Sequence, residues 1–366
     1  MIERLEQLRN DRHKDAKKWK EQTGKKVVGL FCCNVPEELI YAADMLPVRI
    51  LGEHEEATEG NLHFPTNVCP YPVSCFDQAL KGHYDYLDGL VVPNVCDMIR
   101  SMYGTWKLNL KIPYVHFLEV PQRISPAGVE FLRQALDQLR TSLEDFSGNT
   151  ITEQSIVKAI EIYNRNRSLL REAYELRKNG LLSGVEHQGM VLSSMLMPKE
   201  EHNELMTQYL EEAGQRQPAG DGVRLFLSAS MLDDTDFVRL IEDCGGRVVA
   251  DDMPTGSRYF YYSVDDKVDP LKALAERYLT RVTCPRKMLP EARLKFIEEI
   301  LEGNEAQGAI IHNLKACDCH LYEYPFLKET LESKGLAVLF FRGEETEAEL
   351  ETQRADIEAF IEMLRG

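Results

Sequence analysis

Two separate runs of alternation between short apolar stretches and helical stretches constrain this chain more than any other feature. In the first run, KKVVGLFCC, LPVRIL, YLDGLVVPN and IPYVHFLEVP are rich in Val, Ile and Leu and bounded by Pro, Asn or Gly, as buried strands are. PEELIYAADM starts a helix after the first of them, with Pro36 at its opening and Glu37 and Glu38 in a first turn where acids complement the helix dipole. In the second run, VRLFLSAS, RVVADDMP, AQGAIIHNL and LAVLFFRG read as strands. The stretches DDTDFVRLIEDCGG, LKALAERYLT, EARLKFIEEILEGN and PFLKETLESKG between them read as helices, and the tail ETEAELETQRADIEAFIEML closes as another.

Strands that alternate with helices build a parallel sheet covered by helices on its faces. The expected fold is α/β: two doubly wound parallel-sheet domains, Rossmann- or flavodoxin-like, joined by a helical segment. Residues 25–125 form the first domain and residues 222–366 the second. Residues 126–215 carry the long charged stretches VEFLRQALDQLRTSLEDF and TEQSIVKAIEIYNRNRSLLREAYELRKNG, and residues 1–24 read as an N-terminal helix. No sequence repeat aligns the two series, so a duplication stays open.

Composition removes several classes of function. A net charge of −17 disfavours a general nucleic-acid binder, which needs a concentrated basic surface. No apolar run approaches the roughly 18 residues of a membrane span. The charged, amphipathic N-terminus is unlike a secretion signal, so the expected location is the cytoplasm. Nine cysteines in such a chain read as thiols or metal ligands rather than disulfides.

In open parallel sheets, ligands collect beyond the carboxyl ends of the strands. Cys96 follows GLVVPN and Cys317 follows AIIHNLK, while Cys69 lies in the Pro-rich stretch FPTNVCPYPVSC. A cleft between the domains can gather all three. Cys32, Cys33 and Cys244 are more simply read as packing, Cys33 being the closest to the cleft. Cys69, Cys75, Cys96, Cys284, Cys317 and Cys319 all stand in stretches that read as loops. Structural zinc is disfavoured, because paired CxxC knuckles are absent; an iron–sulfur cluster tolerates widely separated thiolates.

The stretches VVGLFCCNVPEELIYAADMLPVRILG, NVCPYPVSCFDQALKGHYDYLDGLVVPNVCDMIRSMYGTWK, LAERYLTRVTCPRK and GAIIHNLKACDCHLYEYPFLKETLESKGLAVLF together resemble the 2-hydroxyacyl-CoA dehydratase and benzoyl-CoA reductase family. The match covers nearly the whole chain in the family's order. The resemblance implies a 4Fe-4S cluster on three cysteines, which fall on Cys69, Cys96 and Cys317, with one iron open to water or substrate. It also implies an acyl-CoA substrate, a homologous second subunit in a heterodimer or a homodimer, and a separate ATP-dependent iron–sulfur activator protein. In that chemistry a low-potential electron reduces the thioester to a ketyl radical, from which the hydroxyl of the adjacent carbon departs; the reductase branch reduces an aromatic ring instead.

Two further readings accompany this one. A related branch holds a double-cubane 8Fe cluster and reduces small molecules, and six loop thiols would suit it. An electron-transfer subunit with a cluster closed by a fourth thiolate, Cys75 or Cys319, is the other. For acid–base work, Glu37 and Glu38 are the candidate catalytic carboxylates, with helix-dipole stabilisation as the simpler explanation. Asp97, Arg100, Asp318, His312 and His320 flank the candidate ligands. Arg49, Lys107 and Arg123 are candidates for CoA phosphates, and the run Tyr259–Tyr262 for an acyl pocket or a packed strand.

Overall fold

The computed structural model describes residues 2–281, 284–287, 290–344 and 346–366. Parts of the stretch LAERYLTRVTCPRK and the first residue of the expected tail helix therefore lie outside the described residues. Two four-stranded parallel sheets form, as the alternation predicts. The first contains β1 (Val27–Leu30), β2 (Leu46–Arg49), β3 (Gly89–Pro93) and β4 (Tyr114–Leu118). The second contains β5 (Val223–Ala229), β6 (Gly246–Asp252), β7 (Gly308–Leu314) and β8 (Ala337–Gly343).

Both sheets have the same topology. The strand orders are β2-β1-β3-β4 and β6-β5-β7-β8, so each has its order reversal at the first strand of its own series. A crevice opens beyond the carboxyl ends of the strands at such a reversal. In the first sheet it falls between β1 and β3, and in the second between β5 and β7.

Side-chain alternation divides each sheet between two cores. Val28, Leu30 and Val91 face one core, while Val27, Phe31, Leu90 and Val92 face a second built around Phe76 and Trp106. Phe226, Ala309 and Ile311 of the second sheet join the first of these cores, and Leu225, Leu227 and Ile310 face a third. One core is thus continuous from sheet to sheet. Its middle is filled by the intervening helices, through Leu132, Leu136, Ile160, Leu170, Met190 and Leu205. The helix Glu153–Lys178 also pins both sheets: Arg167 pairs with Glu38 after β1 at 2.5 Å, and Arg177 pairs with Asp251 at the end of β6 at 2.8 Å.

Several local expectations shift. The first strand stops at Leu30 rather than Cys33, because Cys32 takes a left-handed φ of 61° that turns the chain out of the sheet. The N-terminal segment is two helices, Ile2–Asn10 and Arg12–Thr23. Tyr259 and Phe260 end a short helix, Ser257–Phe260, instead of lying on a strand. LKALAERYLT forms an α-helix over Pro270–Glu276 that widens into a π-helical turn at Arg277–Arg281. Cys75, read as a loop residue, sits inside the helix Pro70–Leu80 with its side chain fully buried. Among the described residues no helix is long and apolar enough to cross a membrane.

Candidate metal centre

Chain segments leaving β1, β3, β5 and β7 surround one cavity between the sheets, so both order reversals open onto the same space. Its lining includes Cys32 and Cys33 after β1, Cys96 after β3, Ser230 and Met231 after β5, and Cys317 and Cys319 after β7. Cys69 and Cys284 complete the sulfur lining. Seven of the nine cysteines therefore meet at one place, including Cys32 and Cys33, whose sequence context suggested packing. The signal that could have found these two was position, since they directly follow the first strand. Cys75 and Cys244 are elsewhere: Cys75 packs in the Phe76–Trp106 core, and the Cys244 sulfur lies 4.0 Å from the backbone oxygen of Arg354.

The three cysteines singled out in the sequence share a further property. Cys69, Cys96 and Cys317 are the N-cap residues of the helices Pro70–Leu80, Asp97–Asn109 and Asp318–Ser333. A helix N-terminus carries partial positive charge and unpaired N–H groups, so each of these sulfurs stands where a thiolate or an anionic group is stabilised. Ala316, two residues past β7 and immediately before Cys317, has a left-handed φ of 57°, as Cys32 has two residues past β1. The cavity measures about 90 Å³, small beside the roughly 300 Å³ or more that organic ligands occupy.

The sulfurs bias one another in pairs. Hydrogen bonding from Cys69, against the cost of burial, holds the Cys317 thiol well below the usual range, and the same bond pushes Cys69 up. A bond from Cys33, opposed by burial and aided by Arg49 and Asn34, holds the Cys32 thiol below the usual range. The Asn34 amide donates to the Cys32 sulfur at 3.2 Å. Burial pushes Cys96 up, and burial with the neighbouring sulfurs of Cys284 and Cys317 raises Cys319 to about 12.

Among the described residues no carboxylate lines the cavity, whereas Arg258 and Arg286 do. Arg49 lies close enough to bias both Cys32 and Cys33. It is 1% exposed, and among the described residues none of its three guanidinium nitrogens finds a hydrogen-bond partner; the Glu37 carboxylate is 3.8 Å away. A buried cation with open donors beside a nest of thiols suits a site built to receive negative charge. The donor set is soft and sulfur-only apart from His320, which favours iron–sulfur or another thiophilic metal group over a hard cation.

The cavity adjoins a larger cleft of about 370 Å³, and Tyr71, Met231 and Leu314 belong to the walls of both. Phe64, Val68 and Val73 give that cleft an apolar side, and Lys315 stands on it with Glu344 at 2.5 Å. Glu37 and Glu38 do not line the cysteine cavity. Glu38 accepts from Arg167 and from Tyr278 at 2.8 Å, and Glu37 accepts from Tyr259 at 3.0 Å with Lys199 at 3.3 Å. Both carboxylates are thus buried in ion-pair networks. Arg49 is too deep to meet a CoA phosphate from solvent, and Asp97 and Arg100 pair with each other on the exposed face of their helix. A separate group, His54, Asp234 and Asp236, brings its ligand-capable atoms within 4.8 Å of one another, with Arg9 4.0 Å from Asp234.

The family model described as 2-hydroxyglutaryl-CoA dehydratase, D-component, matches residues 32–364. The chain is 31% identical to the (R)-phenyllactyl-CoA dehydratase beta subunit of Clostridium sporogenes, over 94% of this chain and 93% of that one. It is 28% identical to one of the subunits of the benzoyl-CoA reductase of Thauera aromatica, over 95% of this chain and 94% of that one. It is also 28% identical to the beta subunit of the (R)-2-hydroxyglutaryl-CoA dehydratase of Acidaminococcus fermentans, over 95% of this chain and 94% of that one. With the match running from the first cavity cysteine to the last helix, the chain belongs to the 2-hydroxyglutaryl-CoA dehydratase D-component family.

Proposed function

We propose that this chain is the iron–sulfur subunit of an acyl-CoA dehydratase or aromatic acyl-CoA reductase, holding a 4Fe-4S cluster on Cys69, Cys96 and Cys317. The observation that carries the proposal is the convergence of three helix N-cap cysteines on one cavity walled by thiols and cations. Bound there, such a cluster supplies a low-potential electron and a Lewis-acidic iron toward a thioester carbonyl.

The chain's own residues divide the remaining work. The three helix N-termini and the buried Arg49 guanidinium offset the negative charge of the bound group. The apolar walls of the neighbouring cleft, with Tyr71, Met231 and Leu314 at the boundary, exclude water from the approach of an acyl thioester. The electron comes from a separate ATP-dependent activator, and the enzyme is completed by a second, homologous subunit, as the beta-subunit names of the dehydratase relatives suggest. Ketyl-radical chemistry at the thioester follows from that assignment. The acid–base role expected for Glu37 and Glu38 draws no support from the geometry, since their carboxylates are engaged with Tyr259, Lys199, Arg167 and Tyr278.

A second reading is favoured by one observation: Cys32, Cys33, Cys284 and Cys319 face the same space as the three N-cap cysteines. Seven thiols exceed what a single cubane uses, and a double-cubane 8Fe cluster would employ most of them. Iron and acid-labile sulfide counting on anaerobically prepared protein, with EPR, separates the two. About four irons per chain, lost with Cys69→Ala, Cys96→Ala and Cys317→Ala, supports the first reading; about eight, sensitive also to Cys284→Ala and Cys319→Ala, supports the second. Retention of iron in all three N-cap variants would remove the assignment. A change in the EPR signal on adding acyl-CoA separates an open catalytic site from a closed electron-transfer one.

A further inference from the structure

A chain of buried charges ends on one of the candidate ligands. Asp252, at the last position of β6, is wholly buried and receives two guanidinium groups. Arg258 donates to it from Nε at 2.6 Å and Nη2 at 2.9 Å, and Arg293 from Nη1 at 2.9 Å and Nη2 at 2.6 Å. The remaining Arg293 nitrogen, Nε, is held by both oxygens of Glu323, at 2.6 and 2.7 Å. Glu323 stands on the same helix as His320 and anchors it from below. With Nε and Nη2 committed to Asp252, Arg258 points Nη1 at His320 Nε2, 3.1 Å away. The other ring nitrogen, Nδ1, lies 3.3 Å from the Cys317 sulfur.

A guanidinium has only donors. The ring nitrogen it faces must therefore present its lone pair, which leaves the imidazole proton on Nδ1, directed at Cys317. We infer that Arg258, fixed by Asp252, is a positioning residue that locks His320 as the Nδ1–H tautomer, and that this N–H donates to the Cys317 sulfur and raises the reduction potential of the cluster bound there. The second half rests on the cluster reading above; the first half is a property of the metal-free protein. An N–H donated to a ligand sulfur stabilises the reduced, more negative state relative to the oxidised one, and hydrogen bonds to sulfur are among the factors that set cluster potentials. His320 occupies the third position of the helix that Cys317 caps, and its backbone N–H is bonded to the Cys317 carbonyl at 3.1 Å, which ties the two main-chain positions together.

The test has two arms. In metal-free protein, nitrogen-15 NMR of the His320 ring is expected to show Nδ1 protonated and Nε2 unprotonated, with the Nε2–H form appearing in Arg258→Met. A wild-type ring protonated on Nε2 would overturn the inference. In anaerobically loaded protein, potentiometric titration followed by EPR compares wild type with His320→Leu, which removes the donor, and His320→Asn, whose amide nitrogen stands near the Nδ1 position. The leucine variant is expected to lower the reduced-to-oxidised ratio at fixed potential about tenfold, a shift of about 59 mV to more negative values for one electron. The asparagine variant is expected to restore most of it. Equal potentials in wild type and His320→Leu would refute the role even with the tautomer as stated. The His320 variants leave the Asp252–Arg258–Arg293 set in place and decide the matter if Arg258→Met does not fold. Wild-type protein that takes up no iron would defeat the cluster reading instead, and the NMR arm would still decide the tautomer.

Discussion

Replacing Asp252 by Asn removes the charge on which two buried guanidiniums converge while keeping the size of the side chain. The two arginines do not suffer equally. Arg293 keeps Glu323 as a counter-ion, whereas Arg258 is left with the backbone oxygens of Ala229 and Asp252 at 3.4 and 3.1 Å and the His320 ring. One buried cation thus loses its only carboxylate among the described residues, and breaking a buried pair in this way costs about 3–5 kcal/mol. At about 2–4 °C per kcal/mol for a cooperative unit of 150–250 residues, the expected loss in Tm is about 6–20 °C. Differential scanning calorimetry of the metal-free protein at pH 7 measures it. The pH dependence adds a second check. Burial opposes ionisation of Asp252, but Arg258 and Arg293 outweigh it and hold the carboxyl well below the usual range. A depressed folded-state value means that the contribution is complete above the unfolded value of about 4 and is lost only as pH falls below it. The gap between wild type and Asp252→Asn should therefore be constant from pH 8 to 5. A Tm loss under about 2 °C, or a gap that closes within that window, would refute the reasoning.

Arg49→Met removes a buried guanidinium whose nitrogens lack hydrogen-bond partners among the described residues, while Glu37 keeps Lys199 and Tyr259; the metal-free protein should melt higher, by the equivalent of about 1–3 kcal/mol, and bind iron less tightly, as calorimetry and iron retention during dialysis would register. Burial and the Lys199 charge hold His202 down to about 3, and its ring is fixed between the Asn166 amide at 2.7 Å and the Met190 carbonyl at 3.0 Å. Because the unfolded histidine takes up its proton first as pH falls below about 6.5, stability is lost on acidification; the advantage of wild type over His202→Asn in urea unfolding should shrink by about 2 kcal/mol from pH 7 to 5. Cys75→Ala, in the Phe76–Trp106 core, should cost about 1 kcal/mol and leave iron stoichiometry unchanged, and loss of iron in this variant would place Cys75 among the ligands.

Much of the fold was legible because its signals are local. All eight described strands follow short apolar runs bounded by Pro, Asn or Gly, and the same order reversal in both sheets follows from chain series built alike. The long helices Pro126–Ser147 and Glu153–Lys178 declare themselves by their periodicity. The helix Gly184–Ser194 does not, since all of its residues are buried and no polar face marks its period. The Pro-rich stretch around Cys69 reads as a loop because three prolines disfavour regular structure, yet Pro70 and Pro72 fall in the first turn, where no intrahelical N–H bond is required.

Local pattern was enough for the parallel sheets and for the placement of Cys96 and Cys317 beyond strand ends, and the resemblance was enough for the family. That both order reversals open onto one cavity, that Cys32 and Cys33 join it, and that Cys75 does not are outcomes of long-range packing. The same packing decided that Glu37 and Glu38 turn into ion pairs, and that Asp252, Arg258 and His320 reach Cys317 from three different elements. The physical reason is range. Strand and helix propensities act over a few neighbours, whereas a thiol's surroundings are set by which chain ends the shared core brings together. Hydrogen-bond partners 62 residues apart, as Arg258 and His320 are, leave no mark in the local pattern of either.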